Sequence, residues 1–288
     1  MLTERVRAWE AEGGYEEVAG RRLFVYRRDG EGPALLLLHG FPSSSYDWRQ
    51  LLALRPERAA VAFDCLGFGL SEKPPGLAYT LGWQADAAEV LADGREVFVV
   101  GHDMGTSVAT ELLARDLRGE LGMRIAGVLL FNGSILLHKA SPTAGQRLLR
   151  SRVGPIFARL NSEWTFTAQF ARIFSKDHPL DPEEARDQWA LLAHRNGHRR
   201  LPETIAYMDE RERYTDRWHG AVRDWPGPLS FAWGLEDPVA TTAVLNGLRE
   251  LRPHAPVTEL AGVGHYPQLE APGRLAGALD AALALGDP

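Results

Sequence analysis

The sequence predicts an α/β fold with a mostly parallel, doubly wound sheet and an inserted helical cap. Short runs that are apolar at every position alternate along the 288 residues with segments of helical periodicity. Such runs are typical of strands buried on both faces of a parallel sheet. One interval, residues 137–220, contains helix-like segments and no convincing strand. An alternating series interrupted in this way favours right-handed crossovers and a helical insertion.

The elements follow one another in a regular order. Residues 17–28 alternate weakly and are rich in Val, Leu, Phe and Tyr, which predicts a hairpin-like pair of opening strands. The apolar runs that predict the remaining strands are residues 34–38, 59–63, 96–100, 125–131, 229–233 and 257–260. The helical segments between and after them are residues 46–54, 80–91, 106–117, 241–251 and 267–285.

The interruption divides the chain into two parts. We expect residues 1–136 and 221–288 to form the α/β core and residues 137–220 to form the cap. Predicted cap helices cover residues 146–149, 164–174, 182–194 and 202–213. A cap of this kind would pack over the carboxyl edge of the sheet, where such folds bind ligands. The charged run 209–213 within it is typical of a solvated helix face.

Composition narrows the classes of function. The chain is 45% hydrophobic and 24% charged, as in ordinary globular proteins, and its net charge is −6. A negative balance argues against nucleic acid or a membrane surface as partner. One cysteine, Cys65, excludes an internal disulfide, and the first residues lack a targeting segment, so we expect a cytoplasmic protein. His194 and His198 lack an acidic third ligand, so no metal or other cofactor is expected.

One motif carries the most chemical information. Gly101-His102-Asp103-Met104-Gly105 directly follows an apolar run and precedes a helical segment. This is the strand–turn–helix context of a nucleophile elbow, with aspartate in place of the commoner serine. A carboxylate at that position attacks an alkyl carbon, so the residue predicts displacement at carbon through a covalent ester.

Three further motifs follow predicted strands. They are His39-Gly40-Phe41-Pro42, the glycine-rich loop 64–71, and a split set made of Glu236-Asp237-Pro238 and Gly264-His265-Tyr266. The glycine at 40 lets the chain turn sharply, which frees the next backbone N–H to point into a pocket. His39 and His102 are expected to bond backbone groups, and Asp64 to brace its loop.

These motifs, in this order, resemble the α/β-hydrolase fold, and within it the branch with an aspartate nucleophile, the epoxide hydrolases and haloalkane dehalogenases. The resemblance extends from Leu35 to Glu270. A closer likeness is to the mesoderm-specific-transcript subgroup of predicted hydrolases. It is carried by Asp47-Trp48, Leu130-Phe131-Asn132-Gly133, Arg217-Trp218-His219-Gly220-Ala221 and His265-Tyr266-Pro267-Gln268-Leu269-Glu270.

The resemblance implies a role for each motif. Asp103 would be the nucleophile, His265 the base that activates water, and Asp237 the acid that orients the imidazole. Glu236 competes with Asp237, but an aspartate before proline matches the family position better. Asn132 follows the strand where some dehalogenases place the acid, and asparagine cannot serve as one. The backbone N–H groups of Phe41 and Met104 would form the oxyanion hole.

The leaving group separates two reactions. An epoxide oxygen needs a proton donor, commonly a cap tyrosine, and Tyr207 is the first candidate, with Tyr214 seven residues later on the expected helical face. A halide needs N–H donors, and Met104 offers none where the family's dehalogenases carry tryptophan. Trp164 could still donate to a halide. Epoxide hydrolysis to a diol is therefore the leading prediction, for a small apolar electrophile.

Two alternatives remain beside it. One is a haloalkane dehalogenase with atypical halide donors. The other is a non-catalytic ligand-binding or scaffold member of the fold. An intact triad with both oxyanion turns argues against it, because a protein that has lost activity tends to lose one of these elements. An esterase would require serine at the elbow, and Ser107 lies inside the predicted helix.

Overall fold

The computed structural model describes residues 1–286 and is built on one eight-stranded sheet. Its strands run in the order β1-β2-β4-β3-β5-β6-β7-β8, and β2 is antiparallel to both of its neighbours while the strands from β4 to β8 run parallel. The predicted α/β-hydrolase fold with its opening hairpin is therefore confirmed. The strands are β1 (Gly14–Val18), β2 (Arg21–Arg28), β3 (Glu31–Leu38), β4 (Arg58–Phe63), β5 (Glu96–His102), β6 (Arg124–Phe131), β7 (Leu229–Gly234) and β8 (Val257–Leu260).

Helices cover both faces of the sheet. The predicted helix over 267–285 is interrupted near Pro272, because proline has no N–H to continue the ladder. The helices are α1 (Glu4–Glu12), α2 (Arg49–Leu54), α3 (Leu81–Ala92), α4 (Met104–Asp116), α5 (Ala144–Leu149), α6 (Gly154–Leu160), α7 (Glu163–Phe170), α8 (Pro182–Ala193), α9 (Leu201–Thr204), α10 (Tyr207–Arg213), α11 (Thr215–Asp224), α12 (Thr242–Leu251), α13 (Pro267–Glu270) and α14 (Pro272–Leu283). Short 3₁₀ helices occupy Ser45–Trp48, Leu137–Lys139, Ala171–Ile173 and His194–Arg200.

The central strands have no solvated face, which explains why their sequences are apolar throughout. In β3, Leu36 and Leu38 belong to one buried cluster, and Leu35 and Leu37 belong to the cluster on the other side of the sheet. Side chains of a strand alternate between faces, so both faces need apolar residues when both are covered. The first residues of α4, from Met104 to Ala114, are likewise all buried.

The chain between β6 and β7 forms helices α5 to α11 and no strand. The predicted cap boundary at residue 220 falls inside α11. This helix is tied to α4, because Glu111 accepts hydrogen bonds from Arg217 at 2.8 Å and from the indole of Trp218 at 2.9 Å. Among the helices of residues 1–286, none has the length and apolar character needed to cross a bilayer.

Candidate active site

Asp103 lies at a strained turn between β5 and α4. Its backbone has φ +45° and ψ −108°, a conformation that residues with side chains rarely adopt. Such strain persists only where neighbouring groups hold the chain in place. The carboxylate is 2% exposed, so its surroundings consist almost entirely of protein groups.

Two glycines allow α4 to approach the sheet closely enough to hold this turn. A Cβ atom at Gly105 would lie 2.0 Å from the carbonyl oxygen of Leu38, and one at Gly101 would lie 2.9 Å from the carbonyl oxygen of Gly105. Any side chain at 105 would collide with backbone. The Gly-x-Asp-x-Gly pattern is thus a packing requirement of the elbow.

The turn after β3 brings a backbone donor to Asp103. The N–H of Phe41 donates to Oδ2 of Asp103 at 2.9 Å. A Cβ atom at Gly40 would lie 2.9 Å from Cβ of Asp103, so this close approach also depends on glycine. Met104 is the first residue of α4, where backbone N–H groups have no partner within a helix. The oxyanion hole expected at these two N–H groups stays a prediction.

His265 and Asp237 form a buried pair. The imidazole Nδ1 lies 2.7 Å from Oδ2 of Asp237, and the two side chains are almost inaccessible to solvent. The other carboxylate oxygen, Oδ1, accepts the N–H groups of Val239 at 2.7 Å and Ala240 at 3.0 Å. Both oxygens of this carboxylate are therefore hydrogen-bonded, which holds it in place against the imidazole. Glu236, the competing acid, is not the partner.

Asn132 supports the acid, a role that sequence reasoning missed. Its side-chain amide donates to Oδ2 of Asp237 at 2.8 Å, and its own oxygen accepts the N–H of Gly234 at 2.9 Å. Asn132 adopts a positive φ of 44° at the end of β6. Asparagine tolerates this conformation better than most residues. The asparagine directly after the apolar run of β6 is the feature of the sequence that could have indicated this role.

The protonation of the pair follows from its surroundings. Burial alone would lower the pKa of His265, but the attraction and hydrogen bond of Asp237 outweigh it and raise that pKa above the ordinary 6.5. Burial would raise the pKa of Asp237, yet His265 and the donor of Asn132 bring it below the ordinary range. The carboxylate therefore stays charged, and the imidazole gains affinity for the proton it would take from water.

The remaining motif residues bond backbone groups. Nε2 of His39 accepts the N–H of Cys65 at 2.9 Å, while His102 lies between the amide of Gln268 at 3.0 Å and the carbonyl oxygen of His265 at 2.8 Å. Burial lowers the pKa of His102 to about 3, so it is neutral.

Asp64 braces its loop. It accepts the N–H groups of Ser45 at 2.7 Å and Leu70 at 2.6 Å. It thereby ties two loops together beside the elbow.

Tyr207 lies at the site, at the start of α10. Its ring is 5.8 Å from that of Phe41, and its hydroxyl is buried with no hydrogen-bond partner among residues 1–286. Burial, followed by the nearby charge of Asp103, raises its pKa, while Arg211 opposes the rise. The phenol therefore keeps its proton.

Arg211 corrects the prediction for residues 209–213. That run was expected to be solvated, but Arg211 is 1% exposed. Its Nη2 donates to the backbone oxygen of Asp103 at 2.9 Å and lies 3.7 Å from Oδ1, and its Nε donates to Ser107 at 2.8 Å. The cationic group also lies 4.6 Å from the centre of the Tyr207 ring. Helix α10 thus places a positive charge beside Asp103.

Two cap candidates are not brought to the site. Trp164 is 79% exposed on α7, and no contact joins it to Asp103. Tyr214 is 39% exposed and packs on Trp218, with the ring centres 5.5 Å apart. It does not share a face with Tyr207, because α10 ends at Arg213 and the chain turns into α11.

A cavity of about 90 Å³ opens beside the pair. His265, Phe41 and Val239 contribute its inner wall, and mainly apolar cap side chains form the rest, among them Leu149, Phe157, Phe166, Phe170, Leu192 and Leu201. A pocket lined in this way suits a small apolar ligand. Within residues 1–286, no three His, Cys, Asp or Glu side chains are arranged to hold a metal ion.

The His265–Asp237 pair makes a testable prediction about pH. Because the carboxylate raises the pKa of His265, we expect its NMR titration midpoint above the ordinary 6.5, and we expect Asp237→Asn to move that midpoint downward. His102 should remain neutral throughout and serves as an internal control. A midpoint that does not respond to Asp237→Asn would contradict the assignment.

Arg211 makes a prediction about stability. Arg211→Met leaves the Asp103 carboxylate buried without its cation, so we expect the free energy of unfolding to fall by about 3 kcal/mol. Arg213→Met, at an exposed position of the same helix, should change it by less than about 0.5 kcal/mol in urea unfolding.

A second variant separates charge from packing. Adding Asp103→Asn to Arg211→Met removes the unpaired charge, so the double variant should recover about 1 kcal/mol or more. No recovery would mean that Arg211 stabilises the protein by packing alone.

Two known proteins are similar in sequence over most of the chain. LipZ of Mycobacterium tuberculosis is 52% identical over 275 residues, which cover 94% of this chain and 96% of LipZ. The mouse mesoderm-specific transcript protein is 32% identical over 94% of this chain and 86% of its own, which confirms the resemblance to that subgroup.

Solved structures share the fold. Haloalkane dehalogenase DatA from Agrobacterium tumefaciens C58 superposes with a TM-score of 0.79 at 23% identity, covering 96% of this chain and 97% of DatA. Residues 35–278 also match the sequence profile of the Alpha/beta hydrolase family. Together with the sheet order and the elbow, a match over most of the chain establishes that this protein belongs to the alpha/beta hydrolase family.

Proposed function

We propose that this hydrolase uses Asp103 as a nucleophile to convert small apolar epoxides into vicinal diols. The observation that carries the choice of substrate is the buried hydroxyl of Tyr207, which has no hydrogen-bond partner among residues 1–286. Leaving a buried donor unsatisfied is costly, so the group is suited to a partner that arrives with the substrate. An epoxide oxygen beside Asp103 would be such a partner.

In the first step, a carboxylate oxygen of Asp103 attacks an epoxide carbon. The carbon–oxygen bond of the ring breaks, and the ring oxygen takes the proton of Tyr207. The raised pKa of this phenol keeps the proton available until the oxygen becomes basic. The product is a hydroxyalkyl ester of Asp103 and a tyrosinate beside the guanidinium of Arg211.

In the second step, His265 takes a proton from water and the resulting hydroxide attacks the ester carbonyl of Asp103. The N–H of Phe41, which bonds this side chain in the free enzyme, and that of Met104 would stabilise the oxyanion. Collapse breaks the ester bond, and the leaving alkoxide takes the remaining proton of the water molecule, which gives the diol and returns Asp103 to its carboxylate form. One oxygen from water stays in the carboxylate, and the proton held by His265 returns to Tyr207 through solvent.

The other two functions have less support. A haloalkane dehalogenase would need N–H donors for the halide, and Met104 has none while Trp164 lies on the surface. A ligand-binding protein without activity would not need the aligned His265–Asp237 pair. The experiments below can distinguish both functions from epoxide hydrolysis.

Trapping the ester tests the nucleophile. His265→Gln removes the base of the second step, so we expect the variant to gain the mass of one epoxide molecule, located by peptide mapping on Asp103. Asp103→Asn should gain no mass and should lose activity by about four orders of magnitude. A panel of epoxides and haloalkanes, measured by diol and halide release, identifies the electrophile. Halide release without diol would overturn the epoxide assignment.

Tyr207→Phe tests the proton donor. We expect it to lower the rate of epoxide opening by about 100-fold, because the ring oxygen would leave without a proton. Tyr214→Phe, at the surface, is the matched control and should retain the rate. An unchanged rate in Tyr207→Phe would exclude this role for the residue.

A further inference from the structure

Exposed apolar side chains are concentrated on one stretch of the cap. Among residues 1–286, five of the eleven large apolar side chains that are exposed belong to this stretch. Scattered exposed apolar residues are normal, but a contiguous group marks a binding surface. We call this group the cap patch; its members are Leu148, Val153, Ile156, Leu160 and Trp164.

Helix α6 presents large apolar side chains to the solvent. Ile156 and Leu160 are 62% and 74% exposed and lie one turn apart, and Val153 precedes Ile156 by three residues, so all three share an outer face. Phe157 is half-buried at the edge of this face and lines the cavity. An apolar helix face is normally covered by a partner.

The cap patch adjoins the cavity. Helices α5, α6 and α7 carry the patch, and the same helices contribute Leu149, Phe157 and Phe166 to the cavity wall. Whatever covers the patch would therefore lie on the helices that line the cavity.

The charge of this stretch is opposite to that of the whole protein. Residues 144–164 contain four arginines and one acidic residue, Glu163, although the chain carries −6 overall. Arg150 is paired with Asp209 and Glu212 of α10. The other three arginines are exposed and have no carboxylate partner within residues 1–286; they are Arg147, Arg152 and Arg159.

We propose that the cap patch docks on an anionic phospholipid surface. Leu and Ile side chains would enter the boundary of the acyl chains, Trp164 would lie at the headgroups, and the unpaired arginines would contact lipid phosphates. The negative charge of the whole chain led to the expectation of no membrane partner. A lipid surface, however, interacts mainly with the protein charges that lie within about one Debye length of it. Delivery of apolar substrate from the lipid is a corollary that rests on the proposed function; docking itself does not.

A second copy of the chain fits the patch less well. In a two-fold contact the same surface meets itself, so the unpaired arginines of one copy would face those of the other. Like charges placed opposite one another disfavour such a contact. An anionic surface has the complementary charge.

Flotation with lipid vesicles tests the proposal. We expect the full chain to float with vesicles of phosphatidylcholine and phosphatidylglycerol, and to float less with phosphatidylcholine alone or at high salt. The triple variant Ile156→Ser, Leu160→Ser, Trp164→Ser should bind at least about tenfold more weakly. Val90→Ser, at a 57% exposed position of α3, is the matched control and should bind as wild type.

A second triple variant tests the charges. Arg147→Gln, Arg152→Gln, Arg159→Gln should weaken binding to the anionic vesicles by about tenfold or more and leave the weak binding to phosphatidylcholine unchanged. Urea unfolding confirms that each variant is folded. Equal flotation of wild type and the serine variant, or no flotation of wild type, would overturn the proposal.

Two further measurements separate lipid docking from dimerisation and from the proposed function. If wild type sediments as a dimer and the serine variant as a monomer, the patch is a contact between copies and the proposal is wrong. The trapping experiment on His265→Gln uses a water-soluble epoxide without vesicles. Failure of docking and failure of the proposed function are therefore observed separately.

Discussion

The close approach of helix α4 to the end of strand β3 determines the rest of the site. With only 2.0 Å between a Cβ atom at Gly105 and the carbonyl oxygen of Leu38, the helix can start where it does only because residue 105 is glycine. The chain must then turn within one residue, which places Asp103 at a positive φ and directs its carboxylate away from the sheet. The N–H of Phe41 meets that carboxylate because Phe41 lies in the turn that follows β3, the strand that α4 approaches.

The features that could be predicted from the sequence are those with a local cause. Strands buried on both faces must be apolar at every position, so β3 to β7 are visible as runs without any knowledge of their partners. The elbow is also local, since its glycines and Asp103 lie within five residues. The pairing of His265 with Asp237 joins residues 28 positions apart, and a resemblance rather than a pattern predicted it.

The errors have a common physical reason. Arg211 stands in a run of charges that is typical of a solvated helix, and only its partners, Asp103 and Ser107 on the opposite side of the site, make its burial possible. Tyr214 was predicted to share a face with Tyr207 because a seven-residue spacing does so on one continuous helix. The chain breaks between α10 and α11, and no proline or glycine announces the break. Periodicity is informative only as far as the helix continues.

The buried guanidinium of Arg211 gives the cap a place in the charge balance of the proposed reaction. In the free protein its positive charge lies 3.7 Å from the carboxylate of Asp103. That negative charge disappears when the ester forms, and a buried cation left alone would be costly. If Tyr207 protonates the leaving oxygen, the negative charge moves to a tyrosinate whose ring centre is 4.6 Å from the same guanidinium. The cation then has a counter-charge at every stage, first from Asp103 on the elbow and then from Tyr207 on α10. This arrangement links the cap to the chemistry through charge as well as through shape, and it explains why an arginine can be fully buried one helical turn from the tyrosine.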